Sequence, residues 1–285
     1  MKVMRFKAAE RVITGIVLGD MVHDCANLEG FPSDASTANI LAFIDAARPP
    51  AEQVANGDAY PLSEVEWLPA VTTPGKIIGI GRNYSDHAEE MSVALPNVPK
   101  VFFKLPSALN AHRGPVLRPP HVVCLDFEAE LAVVIGKRAH RVAAAEALDF
   151  IGAYTCLNDI SAREFQIEKT SPSTSLAKSL PGFAPVGPWL VTADEIPAPT
   201  CLTVECRVNG ALVQAGKVAD LIFPIPTLIE YLSRSLVLEP GDIIATGTPA
   251  GVGMFRDPPL WLQPGDRVDV SVSQIGTLTS HIVAE

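Results

Sequence analysis

The stretch "CLDFEAELAVVIGK", residues 124–137, constrains this chain more than any other. Its second half, rich in β-branched residues and closed by Gly136, reads as a buried strand. Residues two apart on a strand share a face, so Asp126, Glu128 and Glu130 are expected to stand side by side. Leu125, Phe127, Ala129 and Leu131 then point the other way, into a core. Aligned like charges repel, and a buried carboxylate without a partner is costly. Two arrangements satisfy the pattern: a face bathed in water, or a face with positive charge upon it.

Carboxylate-only ligands suit a hard divalent cation such as Mg²⁺, Mn²⁺ or Ca²⁺ rather than zinc. Glu128 and Glu130 supply two ligands, and octahedral coordination needs more. Asp159 is the third candidate, in "CLNDISAREFQ" (156–166), where the apolar strand "IGAYTCL" gives way to a helix. The alternative for Asp159 or Ser161 is a plain helix N-cap. In "GRNYSDHAEEM" (81–91) a helix sets His87 and Glu90 three apart on one face. A histidine with a carboxylate oriented on it is a general base able to activate water; a surface helix with an incidental ion pair has the same spacing. Arg163 and Gln166 are also three apart, just beyond Asp159. Lys178 stands alone among small and apolar residues in "SLAKSLPGFAPVGP", and a buried lysine needs an anionic partner. With Arg163, and with Lys104 of "VFFKLPSALN", it makes a cationic wall opposite the acidic one. That pattern suits an anionic substrate bridging to a metal.

Twenty-five prolines and twenty glycines in 285 residues point to short strands and turns rather than long helices. Strands are expected at 100–104, 127–135, 153–157, 186–192, 202–208, 243–246, 267–273 and 276–283. Helices are expected at 84–91, 141–150, 161–168 and 226–236. The fold class is therefore α+β, mainly β and mostly antiparallel. Residues 1–70 form a small β-rich unit with a hairpin at Leu18-Gly19-Asp20, and 71–285 a larger domain. A net charge of −10 and no basic run exclude a nucleic-acid footprint. The five cysteines lack a CxxC pair and zinc-ligand spacing, and read as buried reduced thiols. With no signal-peptide core and no apolar run of membrane-spanning length, the expectation is a cytoplasmic protein without a membrane partner. "GIGRNY" (79–84) lacks the third glycine of a dinucleotide fingerprint, and "TGTPAGVG" (246–253) the Gly-Lys-Ser/Thr ending of a P-loop. No organic cofactor is expected.

Seven segments in order then resemble the fumarylacetoacetate hydrolase family: "GIGRNYSDHAEEM", "VFFKLPSA", "LDFEAELAVVIGK", "IGAYTCLNDISAREFQ", "LAKSLPGFAPVGPWLVT", "LIFPIPTLIEYLS" and "LEPGDIIATGTPAGVG". They span roughly 75–285, and residues 1–70 are similar to the extra small domain of longer bacterial members. The resemblance implies a mixed β-roll or β-sandwich with short helices, a homodimer, and one Mg²⁺ or Mn²⁺ per site. It carries the metal ligands onto Glu128, Glu130 and Asp159. It carries a water-activating dyad, on a segment that can act as a lid, onto His87 and Glu90. Lys178 takes the role of stabilising developing negative charge, and Arg163, Gln166 and Thr248 line the substrate pocket. A fourth acidic ligand of the founding branch falls on Ile80, so the chain resembles the three-carboxylate branch. The implied reaction is hydrolytic carbon–carbon cleavage of a small 2,4-dioxo acid to a 2-oxo acid and a carboxylic acid. Oxaloacetate-type decarboxylation, isomerisation of dienoic dicarboxylates, and dehydration of 2-keto sugar acids use the same parts. A binder that kept the fold without catalysis is the reading from another class. In "MFRDPPLWLQPG" (254–265), Phe255 and Trp261 are expected to pack the loop down rather than touch substrate.

Overall fold

A computed structural model describes residues 1–90, 94–168 and 170–285. Its backbone is one large sheet and one smaller sheet around a shared core, with a separate two-stranded pair beside them. In the middle of the large sheet, Ala129–Ile135 lies between Ile151–Asn158 and Ile243–Ala245, antiparallel to both. Beyond Ile243–Ala245 come Ile77–Gly81, in parallel, and the edge strand Lys100–Lys104. On the other side, Ile151–Asn158 pairs with Ala184–Thr192, and that strand pairs with Lys2–Ala8. Lys2–Ala8, Arg11–Leu18, Met21–Asp24 and Ala59–Pro61 continue the sheet outward. The five-stranded sheet runs Ala211–Lys217, Thr203–Val208, Arg267–Val272, Gly276–Ala284 and Pro115–Arg118.

The middle strand explains the layering. Every residue of Ala129–Ile135 is buried, so both of its faces are covered. Leu131, Val133 and Ile135 join the cluster that also holds Val204, Val268 and Val270 of the smaller sheet. Ala132 and Val134 point the other way, to the cluster of Ile40, Leu41 and Ile44 on the helix Thr37–Ala47. Small residues sit where backbones crowd: a Cβ on Gly136 or Gly152 would overlap the other's backbone. The mainly β, mixed fold expected from the sequence is present, and no helix among the described residues is long and apolar enough to cross a membrane.

Several elements depart from expectation. The expected 127–135 strand starts at Ala129. The helix expected at 141–150 is a 3₁₀ segment, Ala144–Phe150. The one expected at 161–168 is two strand residues, Ser161–Ala162, followed by the helix Arg163–Ile167. Ser85–Glu90 is helical, while Met91, expected in that helix, lies outside the described residues. All five cysteines are free, but Cys201 is exposed on a 3₁₀ turn and Cys124 is half-buried. An exposed polar turn leaves a thiol no core to enter, so the expectation of buried thiols holds for Cys25, Cys156 and Cys206.

One tight spot tests the packing directly. A Cβ on Gly79 would overlap the ring of Phe102 on the paired edge strand. Gly79→Ala is expected to displace that ring and cost about 1–3 kcal/mol, the range for overpacking a filled core. Urea unfolding measures it, and a midpoint equal to the parent's would show that the ring moves aside freely.

Candidate active site

Strand ends bring the acids together. Ala129 pairs with Asn158, so Glu130 and Asp159 emerge at the same end of adjacent strands. The Asp159 N–H donates to Glu128 O at 2.8 Å and ties the third acid in. Ligand oxygens of Glu128, Glu130 and Asp159 lie within 4.8 Å of one another, and all three residues are buried. Neither Asp159 nor Ser161 caps a helix; the residue before Arg163–Ile167 is Ala162.

Asp126 does not share their face, contrary to the period-two reading. The strand breaks at Phe127 and Glu128, and Asp126 sits on the short strand Leu125–Asp126, paired with Ser161–Ala162. The break separates the charges. Asp126 Oδ2 accepts from Arg163 Nε at 2.8 Å, and the N–H groups of Gly253 and Met254 close on the carboxylate at 2.7 and 3.1 Å. Leu125, Phe127, Ala129 and Leu131 all enter the core, as expected.

The cations interleave with the acids instead of facing them as a wall. Lys178 Nζ donates to Glu128 at 2.9 Å, Asp159 at 2.5 Å and Ser161 Oγ at 2.9 Å. Arg163 Nη2 donates to Glu128 Oε1 at 2.8 Å, and Lys104 Nζ to Asp159 Oδ1 at 2.6 Å. Asp126, Glu128 and Asp159 each have a cation; among the described residues Glu130 accepts only from a backbone group, the N–H of Gly247 at 2.7 Å. Burial, and then the nearby Asp159 and Glu128, push its carboxyl well above the usual carboxylate range. Burial would raise Glu128 too, but Lys178 and Arg163 overcome it and hold that group low. Burial lowers the Lys104 ammonium despite Asp159, whereas Asp159 and Glu128 outweigh burial at Lys178 and raise it. Three buried oxygen donors, one of them lacking a cation, fit a hard divalent ion.

The glycine-rich turn 246–253 does more than reverse the chain. Its N–H groups hold Glu130 through Gly247, Asp126 through Gly253, and Glu90 through Gly251 at 2.9 Å. Gly247 and Gly251 have φ of 109° and 106°, conformations that side chains rarely adopt, and a Cβ on Gly251 would overlap Val213 O. Glu90 in turn accepts from His87 Nδ1 at 3.0 Å, which leaves Nε2 as the basic nitrogen.

A cavity of about 240 Å³ opens beside these groups. Of the predicted residues it brings together His87, Glu128, Arg163, Gln166, Lys178 and Thr248. Gln166 is fixed by Arg163 Nη1 at 2.8 Å. Lys104, expected to touch substrate, is absent from the cavity wall; its side chain is fully buried against Asp159. Phe255, expected only to pack its loop, faces the cavity with its ring 6.1 Å from that of His87, whereas Trp261 does not line it. A larger cavity of about 380 Å³, beside the helix Thr37–Ala47, contains none of the predicted residues.

Sequence reasoning missed three polar clamps. Asn83 donates to Thr246 O at 2.8 Å and accepts from Phe223 N at 2.8 Å. Gln214 accepts from Ala129 N at 3.0 Å and donates to Thr248 Oγ1 and Pro249 O, each at 2.8 Å. Ser161 bridges Lys178 and the Asp159 carbonyl. The available signal was a lone amide in an apolar strand, "ALVQAGK", for Gln214.

A family model described as "Fumarylacetoacetate (FAA) hydrolase C-terminal" matches residues 76–283. The chain is 40% identical over 223 residues to the oxaloacetate tautomerase FAHD2B, mitochondrial, of Bos taurus, covering 78% of this chain and 71% of that one. Among solved structures, the fumarylacetoacetate hydrolase of Exiguobacterium antarcticum superposes with a TM-score of 0.85 at 33% identity, over 100% of both chains. The maleylpyruvate hydrolase of Sphingobium sp. SYK-6, in complex with manganese (II) ion and pyruvate, gives 0.80 at 31% identity, over 100% of this chain and 99% of that one.

The raised Glu130 carboxyl has a consequence for stability. Folded metal-free protein holds that proton more tightly than the unfolded chain does. The stabilisation is complete below the ordinary glutamate value of 4.5 and is lost as the pH rises towards the folded value. In chelator-treated protein the urea midpoint is expected to fall as the pH rises above the ordinary glutamate value, and Glu130→Gln to flatten that fall. An identical slope in both proteins would assign it to other groups.

Proposed function

The chain belongs to the fumarylacetoacetate hydrolase family of enzymes, and from that premise we propose that it cleaves a carbon–carbon bond in a small 2,4-dioxo acid. The substrate is of acylpyruvate or fumarylpyruvate type, and the products are a 2-oxo acid and a carboxylic acid. The observation that carries this reading is the His87–Glu90 pair, fixed through Gly251 to the same turn that holds Glu130.

Glu128, Glu130 and Asp159 would hold Mg²⁺ or Mn²⁺, which when bound supplies Lewis-acid polarisation of the substrate's oxygens. The rest falls to side chains of this chain. Four carboxylates against three cations leave one negative charge in excess, so a divalent ion reverses the sign and favours an anionic substrate. Arg163 and Gln166 orient that substrate at the cavity wall. Glu90 keeps His87 Nδ1 protonated, and Nε2 takes a proton from the water that attacks the carbonyl remote from the acid head. Cleavage leaves an enolate, and Lys178 stabilises it electrostatically. Its three donors are already engaged by Glu128, Asp159 and Ser161, so its contribution is charge rather than a dedicated hydrogen bond.

The identity to an oxaloacetate tautomerase favours a second reading. Here His87 moves a proton between carbon and oxygen of an oxaloacetate-like acid, or accompanies loss of CO₂, with no attack by water. A homodimer is part of the same proposal, supported by Phe103, Leu105, Ile167 and Leu176, apolar residues exposed on the elements around Lys104, Arg163 and Lys178. The free thiols support a cytoplasmic setting.

Acetylpyruvate, fumarylpyruvate and oxaloacetate, offered in parallel with Mn²⁺ or with EDTA, separate the readings by mass spectrometry of the products. Metal-dependent release of pyruvate with a second acid from a diketo acid is expected. His87→Ala is expected to lose about 10²–10⁴-fold in rate. Turnover of oxaloacetate alone selects the second reading, and full activity of His87→Ala removes the water-activating role.

A further inference from the structure

The loop 254–265 takes no part in the charge balance of the acids, yet it is folded tightly back on the turn before it. Leu260 N–H donates to Gly253 O at 3.0 Å, and Leu262 N–H to Leu125 O at 2.8 Å. This brings two neighbouring side chains to the His87–Glu90 pair by different routes. Phe255 lines the cavity with its ring 6.1 Å from that of His87. Arg256 does not line the cavity. Its Nε donates to Gly251 O at 3.1 Å and its Nη2 to Val213 O at 2.6 Å, and among the described residues its guanidinium pairs with no carboxylate. A charged donor strengthens both bonds, and the planar fork of an arginine is suited to spanning two acceptors. The two carbonyls belong to segments in close contact: a Cβ on Gly251 would overlap Val213 O. The residue after Val213, Gln214, holds Ala129, Thr248 and Pro249, so this strand is a fixed wall beside the turn. Arg256 fastens Gly251 to that wall. The N–H of Gly251 donates to Glu90 Oε1 at 2.9 Å, and Glu90 Oε2 accepts from His87 Nδ1 at 3.0 Å. One chain of contacts therefore runs from the strand Ala211–Lys217 through Arg256, Gly251 and Glu90 to the imidazole.

We propose that Arg256 is a positioning residue for the base: by clamping Gly251 to Val213 it fixes Glu90, and through Glu90 it fixes the orientation of His87. The inference rests on His87 as the group that moves the proton, which both readings of the reaction share, and adds the residue that holds it in place. With the clamp made, Nδ1–H stays on Glu90 and Nε2 stays free for the proton transfer. Without it, two backbone carbonyls lose their donor, Gly251 is free to shift, and Glu90 loses the N–H that anchors its second oxygen. A base displaced by even about 1 Å is expected to work far more slowly.

The test reads the base directly and does not depend on which reaction is catalysed. In protein carrying ¹⁵N-labelled histidine, proton NMR detects the Nδ1–H of His87, moved downfield by its bond to Glu90 and assigned by its absence from His87→Gln. That signal is expected in the parent protein and is lost to solvent exchange in Arg256→Gln. In Arg256→Lys, which keeps the charge but not the two-pronged fork, it is expected to exchange faster than in the parent. On whichever acid the parent turns over, kcat is expected to fall about tenfold in Arg256→Gln with KM within about twofold, because the base acts in the transition state rather than in binding. If Arg256→Gln shows no urea transition, Arg256→Lys alone decides. A signal absent from the parent, a signal unchanged in both variants, or a kcat that stays at the parent's level while the signal is lost overturns the proposal. Loss of the signal as expected, in a protein that cleaves no diketo acid, keeps the positioning role and removes the hydrolase reading.

Discussion

Burying four carboxylates around one small volume is the problem to which the rest of this structure answers. Asp126, Glu128, Glu130 and Asp159 are each less than a tenth exposed, and an unpaired charge at such depth would cost several kcal/mol. Three side-chain cations meet three of the acids, and a proton or a divalent ion is left to meet the fourth. A well-packed apolar substitute for such a cluster is commonly at least as stable, so its presence is better explained by chemistry than by folding. The break at Phe127 and Glu128 belongs to the same answer, because it lets Asp126 share Arg163 with Glu128 and take the N–H groups of Gly253 and Met254 instead of a fourth place in the crowd.

The turn 246–253 makes the cluster and the base a single object. Gly247 reaches Glu130, Gly251 reaches Glu90 and so His87, and Gly253 reaches Asp126 and so Arg163. Asn83 and Gln214 fasten the turn to the strands on either side. The backbone of a single loop therefore sets where the base stands relative to the acids. Side chains could not do this so closely, since an added Cβ at Gly251 or Gly253 would overlap a carbonyl oxygen.

How much of this was readable in the sequence depended on whether the signal was local. Glu128 and Glu130 were legible because strand periodicity is a nearest-neighbour property, and Asp159 because an apolar strand ends beside it. The displacement of Asp126 was not, since the residues on either side of the break are ordinary strand formers. Lys104 carried a real charge signal, but sequence cannot say whether a cation stands in front of a carboxylate or behind it; here it stands behind. Phe255 faces the cavity because its turn, which also carries Thr248, folds back onto residues far away in the sequence such as His87 and Lys178, and composition carries no such information. The anchoring role of the glycines was hidden for a different reason: backbone N–H groups are common to nearly all residues, so their targets leave no trace in the letters. The pairing of Lys2–Ala8 with Ala184–Thr192 likewise has no local mark.

The order of strands in the large sheet bears on how the protein is made. Ile243–Ala245 sits between Ala129–Ile135 and Ile77–Gly81, although it is synthesised long after both. A nascent chain still lacking it has a slot in its central sheet, and Glu90, Asp126 and Glu130 have none of the N–H donors that the following turn brings. Loop closure across so much sequence comes late in folding. Premature termination anywhere before that turn thus yields a chain with no assembled site at all, one that resembles an unfolded client for chaperones and proteases more than a weakened enzyme.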